Sequence, residues 1–525
     1  MPSYDYVIVG AGSAGCVLAN RLSASGATVA LIEAGGPDKK MEIHVPAAFS
    51  KLFKTAYDWD FETTPQKHLD DRSLYWPRGK VLGGSSSINA QMWVRGTAAD
   101  YDGWELPGWS YADVLPIFRR IERRVGSNRG DVYGTDGPLY IEELRDPNPL
   151  TGAFLDACAE AGLTRLGELN ESAQLGFAPT PVTQHKGRRW SCVDAYLKPA
   201  RSRKNLAVIT GGLVSRILLD TSSGTPRATG ISYLTATGAS VDVTANREVI
   251  VAAGAIGSPQ LLQLSGIGDP SHLTSVGVTP VVSSPNVGQH LQDHLVAGWI
   301  RHTPTAVTLV DAEKPGQLVK YLLTKKGMLS SNVAEAVAMI RTKPGLAAPD
   351  IELIFAATPF LDHGFTTPPG HGITIGVILL QPFSSGSVTL ASSSPSDAPL
   401  IDAGYFSDDR DVRTLYEGME FAHSLFETSA LAPHTGAYMR PDHFPADEAE
   451  AESMMRAHSE TLYHPTGTCR MGTDSESVVD TDLRVRGVDG LRVADASVLP
   501  QIIRGHTHAP TVMIAEKASD LIHGH

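Results

Sequence analysis

Three glycines near the N-terminus have the spacing that phosphate binding requires. Gly10, Gly12 and Gly15 form a G-x-G-x-x-G pattern directly after the apolar run YDYVIV. In this context the first glycine permits a tight turn, the second lets the backbone approach a pyrophosphate, and the third lets helix and strand pack closely. The phosphates then lie at the N-terminus of a helix that begins near Ser13 and Ala14, where free N–H groups favour anions. The pattern therefore predicts a dinucleotide-binding turn.

An acid at the end of the next apolar run narrows the choice of dinucleotide. Glu33 closes the segment ATVALIE, at a position where a carboxylate accepts hydrogen bonds from a ribose hydroxyl. A carboxylate there favours an unphosphorylated ribose, so the segment indicates NAD or FAD rather than NADP.

The richest cluster of small and polar residues is RGKVLGGSSSINAQMWVRG, at residues 78–96. Gly83 and Gly84 precede three serines and then Asn89. Such residues let a backbone lie close to a flat or charged ligand, while N–H and hydroxyl groups serve as donors. Other small-residue loops occur at residues 254–268 and 494–497. Several such loops from distant segments suit a large, buried cofactor, which favours a flavin over a nicotinamide.

The bulk composition excludes several classes of protein. The chain has 525 residues, a net charge of −13 and a pI of about 5.8, which argues against nucleic acid as a partner and against recruitment to a membrane surface. The apolar runs are too short to span a bilayer and no secretory signal is visible, so we expect a cytoplasmic protein without a transmembrane segment. The four cysteines form neither a disulfide framework nor a metal-ligand spacing.

The order of apolar runs predicts an α/β fold (α+β overall). Buried parallel strands are expected near residues 4–10 and 27–36, from residue 247, and near residues 490–500. Residues 345–405 alternate short strands with turns and predict an antiparallel sheet, and helices are expected at 408–430 and 445–458. We expect a discontinuous Rossmann-like nucleotide-binding domain and a second, substrate-binding domain built on an antiparallel sheet flanked by helices. The expected segments are 1–155, 190–300 and 455–525 for the first domain, and 156–189 and 301–454 for the second.

Five blocks of the chain resemble one known family. GKVLGGSSSIN, GAIGSPQLLQLSGIG, NVGQHLQDH, YHPTGTCRMG and GLRVADASVLP are similar to the signatures of the glucose–methanol–choline (GMC) family of FAD-dependent oxidoreductases. They occur in the order found in the family and span nearly the whole chain. Within the family the chain most resembles bacterial choline dehydrogenase-like and alcohol dehydrogenase members. The resemblance implies FAD as the cofactor.

The motifs and the resemblance together indicate which residues bind FAD. Several family members attach FAD covalently through a histidine, and Ile88 occupies that position here, so non-covalent FAD is expected. Val214 follows a strand-like segment, and the resemblance implies that its backbone contacts the adenine. The expected FAD-binding residues are Gly10, Gly12, Ser13, Ala14, Gly15, Glu33, Ala34, Arg78, Val81, Gly83, Gly84, Ser85, Asn89, Ala90, Met92, Val214, Ala253, Gly254, Asp495, Ala496, His506 and Thr507.

Two histidines are the expected catalytic residues. Oxidation of an alcohol by hydride transfer requires loss of the hydroxyl proton, and a neutral imidazole is the natural base. The resemblance implies that His464 is this base and that His506 is a second donor, which orients the alkoxide and stabilises developing charge. His508 is expected to be structural. A metal bound by His506 and His508 is not expected, because no third ligand is suggested.

The resemblance implies an enzyme that acts on CH–OH donors, an alcohol oxidase or dehydrogenase. We expect oxidation of a primary alcohol, aromatic or medium-chain, to the aldehyde by hydride transfer to flavin N5. Electrons would then pass to O2 or a quinone-type acceptor. Tyr463, Trp93 and Phe360 are candidates for the pocket, and no acid suited to a quaternary ammonium is evident, which argues against choline. The alternatives are a cyanohydrin lyase, disfavoured by the lack of a secretory signal, a light-driven decarboxylase, disfavoured by His464, and a non-catalytic flavin-binding protein.

Overall fold

Seven strands form a first, mostly parallel sheet. The computed structural model describes residues 1–127, 131–222 and 224–524. Apolar runs such as Val7-Ile8-Val9 are fully buried, as is typical of parallel strands covered on both faces. Five strands are parallel to their neighbours, and an antiparallel pair extends one side. In chain order the strands are Ser3–Val9, Val29–Glu33, Leu206–Thr210, Leu213–Asp220, Arg227–Leu234, Ser240–Val251 and Leu491–Val493.

A second sheet also has seven strands, and all of its neighbouring strands are antiparallel. Its side chains alternate between two environments, as the two-residue period of a strand requires. On strand Gly372–Leu379, Ile373, Ile375 and Val377 belong to a hydrophobic core, whereas Thr374 and Gly376 line a large cavity. One face of this sheet is therefore a cavity wall. The strands are Gly176–Pro179, Leu295–His302, Ala334–Ile340, Ile351–Ala356, Gly372–Leu379, Tyr438–Arg440 and Glu460–Thr461.

Helices and short two-stranded sheets complete the described part of the chain. The paired short strands are Phe61–Glu62 with Tyr75–Trp76, Glu122–Arg124 with Leu139–Ile141, Gln184–His185 with Arg188–Arg189, Ile267–Gly268 with Val282–Ser283, and Ser387–Thr389 with Leu400–Asp402. The α-helices are Ser13–Ala24, Met41–His44, Ala98–Gly103, Tyr111–Ile121, Pro149–Glu160, Lys198–Ala200, Gly254–Leu264, Pro270–Ser275, Pro315–Thr324, Asp409–Leu425, Glu448–His458 and His508–His523.

The predicted fold class is confirmed, with one local difference. The segment GSVTLAS was expected to belong to the antiparallel sheet, but Ser387–Thr389 pairs with Leu400–Asp402 in a separate hairpin. This hairpin is anchored to the loop at Gly288, because Val388 N donates a hydrogen bond to Gly288 O at 2.7 Å. The domain boundaries remain a prediction, and strand Leu295–His302 of the second sheet begins before the expected boundary at residue 300. In the described part of the chain, no helix is both long and apolar enough to cross a membrane.

Candidate active site

A large cavity reaches from the first sheet to the second. Its volume is about 690 Å³, within the range of small-molecule and cofactor sites. At one end it is lined by Gly12 and Glu33, and at the other by His464 and His506. We refer to these as the dinucleotide end and the histidine end.

The glycine-rich turn forms the dinucleotide end. Gly10 has a φ of 93°, and a Cβ on Gly15 would lie 1.9 Å from Gly10 O, so this turn requires glycine at both positions. By contrast, a Cβ on Gly12 would meet nothing closer than Gly84 Cα at 4.0 Å. The space beside Gly12 is thus left open by the protein, as a ligand approaching the N-terminus of helix Ser13–Ala24 would need.

Glu33 is held rigidly beside this turn. Its Oε2 accepts a hydrogen bond from Ala11 N, and its Oε1 accepts one from Gly35 N, both at 2.8 Å. Burial raises the pKa of Glu33 to about 7, although both of these hydrogen bonds oppose the shift. Each carboxylate oxygen retains further acceptor capacity for a ribose hydroxyl.

The segment at residues 78–96 packs directly on the glycine turn. Gly83 N donates to Ala11 O at 2.7 Å, and a Cβ on Gly84 would lie 2.7 Å from Gly12 Cα. Asn89 Oδ1 accepts from Arg189 Nη1 at 2.6 Å and from Gln91 N at 3.0 Å. Within the described residues no group accepts from the Asn89 amide nitrogen, which leaves it available to a ligand in the cavity.

Nearly all of the expected FAD-binding residues line this one cavity. The exceptions are Gly15, Val81 and Gly83, which lie behind its wall and shape the loops. Asp495 also orders the wall, because its Oδ2 accepts from Gly254 N at 2.8 Å and from Ser258 Oγ at 2.5 Å. Residues lining the cavity as expected are Gly10, Gly12, Ser13, Ala14, Glu33, Ala34, Arg78, Gly84, Ser85, Asn89, Ala90, Met92, Val214, Ala253, Gly254, Asp495, Ala496, His506 and Thr507.

The polar groups that line the cavity fit a dinucleotide such as FAD. His508 lines the cavity, and its Nδ1 lies 3.1 Å from Ser13 Oγ, while its buried Nε2 has no partner within the described residues. A buried polar atom without a partner is costly unless a ligand or water satisfies it. Burial lowers the pKa of His508 to about 4, so the imidazole is neutral at pH 7.

At the histidine end, His464 is paired with another imidazole. Its Nδ1 lies 2.9 Å from His294 Nδ1, and His294 Nε2 lies 3.1 Å from Leu380 O. Burial lowers the pKa of His294 to about 3. Burial also lowers the pKa of His464 well below its usual value, and the nearby His506, His294 and Arg78 add to the shift. Both rings are therefore neutral near pH 7.

His506 has a different partner. Its Nε2 lies 3.1 Å from both carboxylate oxygens of Glu352, a fully buried residue on the cavity face of strand Ile351–Ala356. The ring centroids of His464 and His506 are 4.7 Å apart. One cavity end thus holds one histidine beside a neutral imidazole and one beside a carboxyl group.

The sequence-based reasoning missed the partners of both histidines. His294 is the last residue of the block NVGQHLQDH, so its place in a family motif could have marked it as a site residue. Glu352 is a lone acid in the apolar run IELIFAA, which is an unusual place for a charge. Asp293 is also buried, and its Oδ1 accepts from His464 N at 2.6 Å, which holds the backbone of the expected base.

The wall facing the histidines is mainly apolar. Of the three pocket candidates, Tyr463 and Phe360 line the cavity, but Trp93 does not, because its buried indole Nε1 donates to Glu122 Oε1 at 2.7 Å. Aromatic rings gather here, and Phe49 lies beside Phe53 and Phe360 with ring centroids 5.8 and 6.2 Å apart.

Potential metal ligands do not gather anywhere in the described ranges. No group of three or more His, Cys, Asp or Glu side chains there could hold a metal ion. His506 and His508 have separate partners, Glu352 and Ser13, rather than a shared one.

Comparison with known proteins identifies the family. The models of the GMC oxidoreductases match residues 4–296 and 382–515. An uncharacterized GMC-type oxidoreductase of Mycobacterium tuberculosis is 50% identical, with 99% of each chain covered. An alcohol dehydrogenase [acceptor] of Pseudomonas putida is 40% identical and an oxygen-dependent choline dehydrogenase of Brucella suis is 41% identical, each over 99% of this chain and 95% of the relative.

A solved structure agrees with these matches. Pyridoxine 4-oxidase from Mesorbium loti superposes with a TM-score of 0.90 at 32% identity, over 99% of both chains. The family and its solved neighbours are FAD-dependent flavoproteins, and the family comprises oxidoreductases that act on CH–OH donors. The chain therefore belongs to the GMC oxidoreductase family, and its cofactor is FAD.

Proposed function

We propose that this protein oxidises a primary alcohol to the aldehyde, with His464 as the base. The observation that carries the proposal is the pairing of neutral His464 with His294, next to a second histidine held by Glu352. FAD, when bound, supplies the acceptor for the hydride. The reaction then needs the protein to take one proton from the alcohol oxygen and to steady the charge that develops there.

The hydrogen bonds of His294 determine which nitrogen of His464 is basic. The Leu380 carbonyl can only accept, so His294 Nε2 carries the proton in that bond. In the neutral His294 ring, Nδ1 is then an acceptor, and His464 Nδ1 must donate to it. The remaining nitrogen of His464, Nε2, keeps its lone pair. His294 thereby holds His464 in the tautomer that can remove a proton.

The carboxyl group of Glu352 holds His506 in place. Both of its oxygens lie 3.1 Å from His506 Nε2, so this nitrogen is engaged with Glu352 and Nδ1 is left for the substrate oxygen. The nearby His506 also adds to the lowering of the pKa of His464, which is mainly caused by burial. Two neighbouring histidines with unlike partners therefore divide the roles of base and donor.

The cavity wall supports an uncharged substrate. Val296, Ile354 and Leu462 line it together with Phe49 and Phe360. The apolar part of the wall favours an aromatic or medium-chain alcohol. The carboxylates Asp362 and Glu460 also line the cavity, and each is paired with an arginine, Arg440 and Arg72 respectively. The alcohol dehydrogenase and pyridoxine 4-oxidase among the similar proteins agree with an alcohol substrate.

We also propose that FAD is held without a covalent bond. Ile88 lines the cavity at the position where a histidine would link the cofactor, and an alkyl side chain cannot form that bond. Acid precipitation of the purified protein should release all of the yellow colour into the supernatant. Yellow colour remaining in the pellet would contradict this proposal.

The proposed reaction is tested by mixing the purified holoprotein anaerobically with a panel of alcohols while the flavin absorbance near 450 nm is followed. Bleaching by a primary aromatic or aliphatic alcohol is expected, together with the aldehyde in equal amount. The rate at which air restores the colour separates O2 from a quinone-type acceptor. Release of cyanide from a cyanohydrin without bleaching would instead support the lyase alternative.

A further inference from the structure

A surface helix far from the sequence motifs exposes an apolar stripe. Helix Pro315–Thr324 presents Leu318, Val319, Leu322 and Leu323 to solvent, at 37, 56, 52 and 81% exposure. They form a third of the twelve large apolar side chains that are exposed in the described ranges, and they fall within six consecutive positions. Contiguous exposed apolar patches of this kind usually mark a binding surface.

The helix is attached to the protein by its opposite face. Tyr321 is buried against Val45 and Ala48, and its hydroxyl lies 3.4 Å from His44 O. At 100° per residue the four exposed side chains span an arc on the side away from Tyr321. The helix is therefore amphipathic, but its apolar stripe faces solvent and not the core.

Lysines flank this stripe in a protein that is otherwise acidic. Lys314, Lys320 and Lys326 are exposed at the start, side and end of the helix. Lys314 pairs with Asp311 at 2.8 Å and Lys320 with Asp146 at 3.2 Å, but exposed pairs of this type are weak and exchange readily. Apolar side chains bordered by lysines are the features of a helix that lies in a lipid headgroup layer.

We propose that this helix docks the protein on the surface of an anionic lipid bilayer. The net charge of −13 argues against it for the molecule as a whole. Charges are screened over about 8 Å at physiological ionic strength, however, so the charges close to the stripe count most. Within residues 311–326, four lysines (314, 320, 325 and 326) outnumber the two acids Asp311 and Glu313. Binding would combine apolar insertion of the leucines with attraction of the lysines to lipid phosphates.

A second copy of the chain fits this stripe less well. Four side chains on one ten-residue helix do not by themselves cover the roughly 800 Å² that each partner of a standard interface buries. Two such stripes facing each other would also bring their lysines together, and like charges at an interface are unfavourable.

The position of the helix links it to the cavity. Ala48, which packs on Tyr321, lies in the 3₁₀ helix Pro46–Leu52, and the next residue, Phe49, lines the cavity. Docking would thus place a bilayer next to the element that carries the aromatic cavity wall. An apolar alcohol or a quinone dissolved in lipid would reach this side of the protein at high local concentration.

The test is sedimentation of the holoprotein with vesicles of phosphatidylcholine and phosphatidylglycerol in equal parts, or of phosphatidylcholine alone. We expect the protein to sediment with the mixed vesicles, and Leu322→Glu to lower the bound fraction at least tenfold. Leu400→Glu is the matched control, because Leu400 is 46% exposed in the separate hairpin of Ser387–Thr389 and Leu400–Asp402, and it should bind like the wild type. Retained FAD absorbance and an unchanged melting temperature show that both variants are folded.

Two results would overturn the proposal. One is equal sedimentation of the Leu322→Glu and Leu400→Glu variants, or a wild-type protein that stays in the supernatant with both vesicle types. The other is a lipid-free dimer, detected by light scattering, that Leu322→Glu dissociates and Leu400→Glu does not, since the stripe would then belong to an interface between two copies.

Discussion

The two ends of the cavity are assembled in different ways. At the dinucleotide end, Glu33 accepts hydrogen bonds from Ala11 and Gly35, and all three belong to one strand–helix–strand unit. At the histidine end, His464 contacts a partner 170 residues away and His506 contacts one 154 residues away. The glycine turn with Glu33 is a local motif onto which other segments pack, whereas the histidine end exists only after two sheets have come together.

The two ends of the cavity should therefore respond to different kinds of substitution. The dinucleotide end is formed by backbone groups and by glycines, which have no side chain. The addition of a single methyl group is therefore the informative change there. Burial and charge shape the histidine end, where pKa values depend on which groups surround each ring. Substitutions at the histidine end should therefore change the rate of flavin reduction, and substitutions at the dinucleotide end should change the affinity for FAD.

Replacement of the base should have the largest effect. His464→Ala removes the lone pair that accepts the alcohol proton, and we expect a roughly 10²–10⁴-fold lower rate of anaerobic flavin reduction. FAD content should be unchanged, because the dinucleotide end is intact. His458→Ala is the control, an exposed histidine that also lines the cavity. Equal losses in the two variants would contradict the role of His464.

Removal of the charge beside His506 should have the next largest effect. Glu352→Gln replaces one of the two acceptor oxygens beside His506 Nε2 with an amide that donates, so His506 is no longer held in place as the donor to the alkoxide. We expect flavin reduction to slow by roughly 10²-fold, the usual effect of losing one such donor.

The matched control for this change is Glu335→Gln, since Glu335 is also buried in the second sheet but accepts from Ser331 and Thr151 and does not line the cavity. Once folded, this variant should reduce its flavin at the wild-type rate. If both variants slow equally, the effect of Glu352 is structural.

Acid should destabilise the protein through its buried neutral histidines. Burial lowers the pKa of His294 to about 3 and of His508 to about 4, whereas both bind protons near pH 6.5 once unfolded. The unfolded chain therefore binds more protons below pH 6.5, and stability falls as the pH decreases. The loss is about 2 kcal/mol per histidine at pH 5. Glu33, with a pKa raised to about 7, acts in the opposite direction, because its contribution is lost as the pH rises from 4.5 to 7.

This pH dependence is measured by urea unfolding at pH 7 and pH 5. His294→Leu should show a smaller difference between the two pH values than the wild type, whatever its absolute stability. A difference that is identical in the two proteins would mean that His294 is not a neutral buried group.

The smallest expected effect lies at the dinucleotide end. Gly12→Ala adds a methyl group that meets no protein atom closer than 4.0 Å, so the fold should be kept. A bound pyrophosphate would meet that methyl group, and we expect about tenfold weaker FAD binding, measured by titration of the flavin-free protein. Gly36→Ala is the control, because its Cβ would have no neighbour within 4 Å. Equal affinity in both variants would place the phosphates elsewhere.

Features that depend on neighbours along the chain could be predicted from the sequence. The turn at Gly10–Gly15, the acid Glu33 and the parallel strands follow from spacing and period, and the motif blocks indicated FAD and His464. Because local geometry is encoded locally, these predictions needed no contact between distant segments.

The pairing of the histidines depends on the packing of distant segments. Sequence spacing cannot show that Glu352 lies beside His506 or that His294 orients His464, because these contacts join segments more than 150 residues apart. The tertiary structure also places Trp93 outside the cavity and exposes the leucines of Pro315–Thr324 to solvent. Burial and charge environment are properties of the packed chain, and they give identical side chains different chemistry.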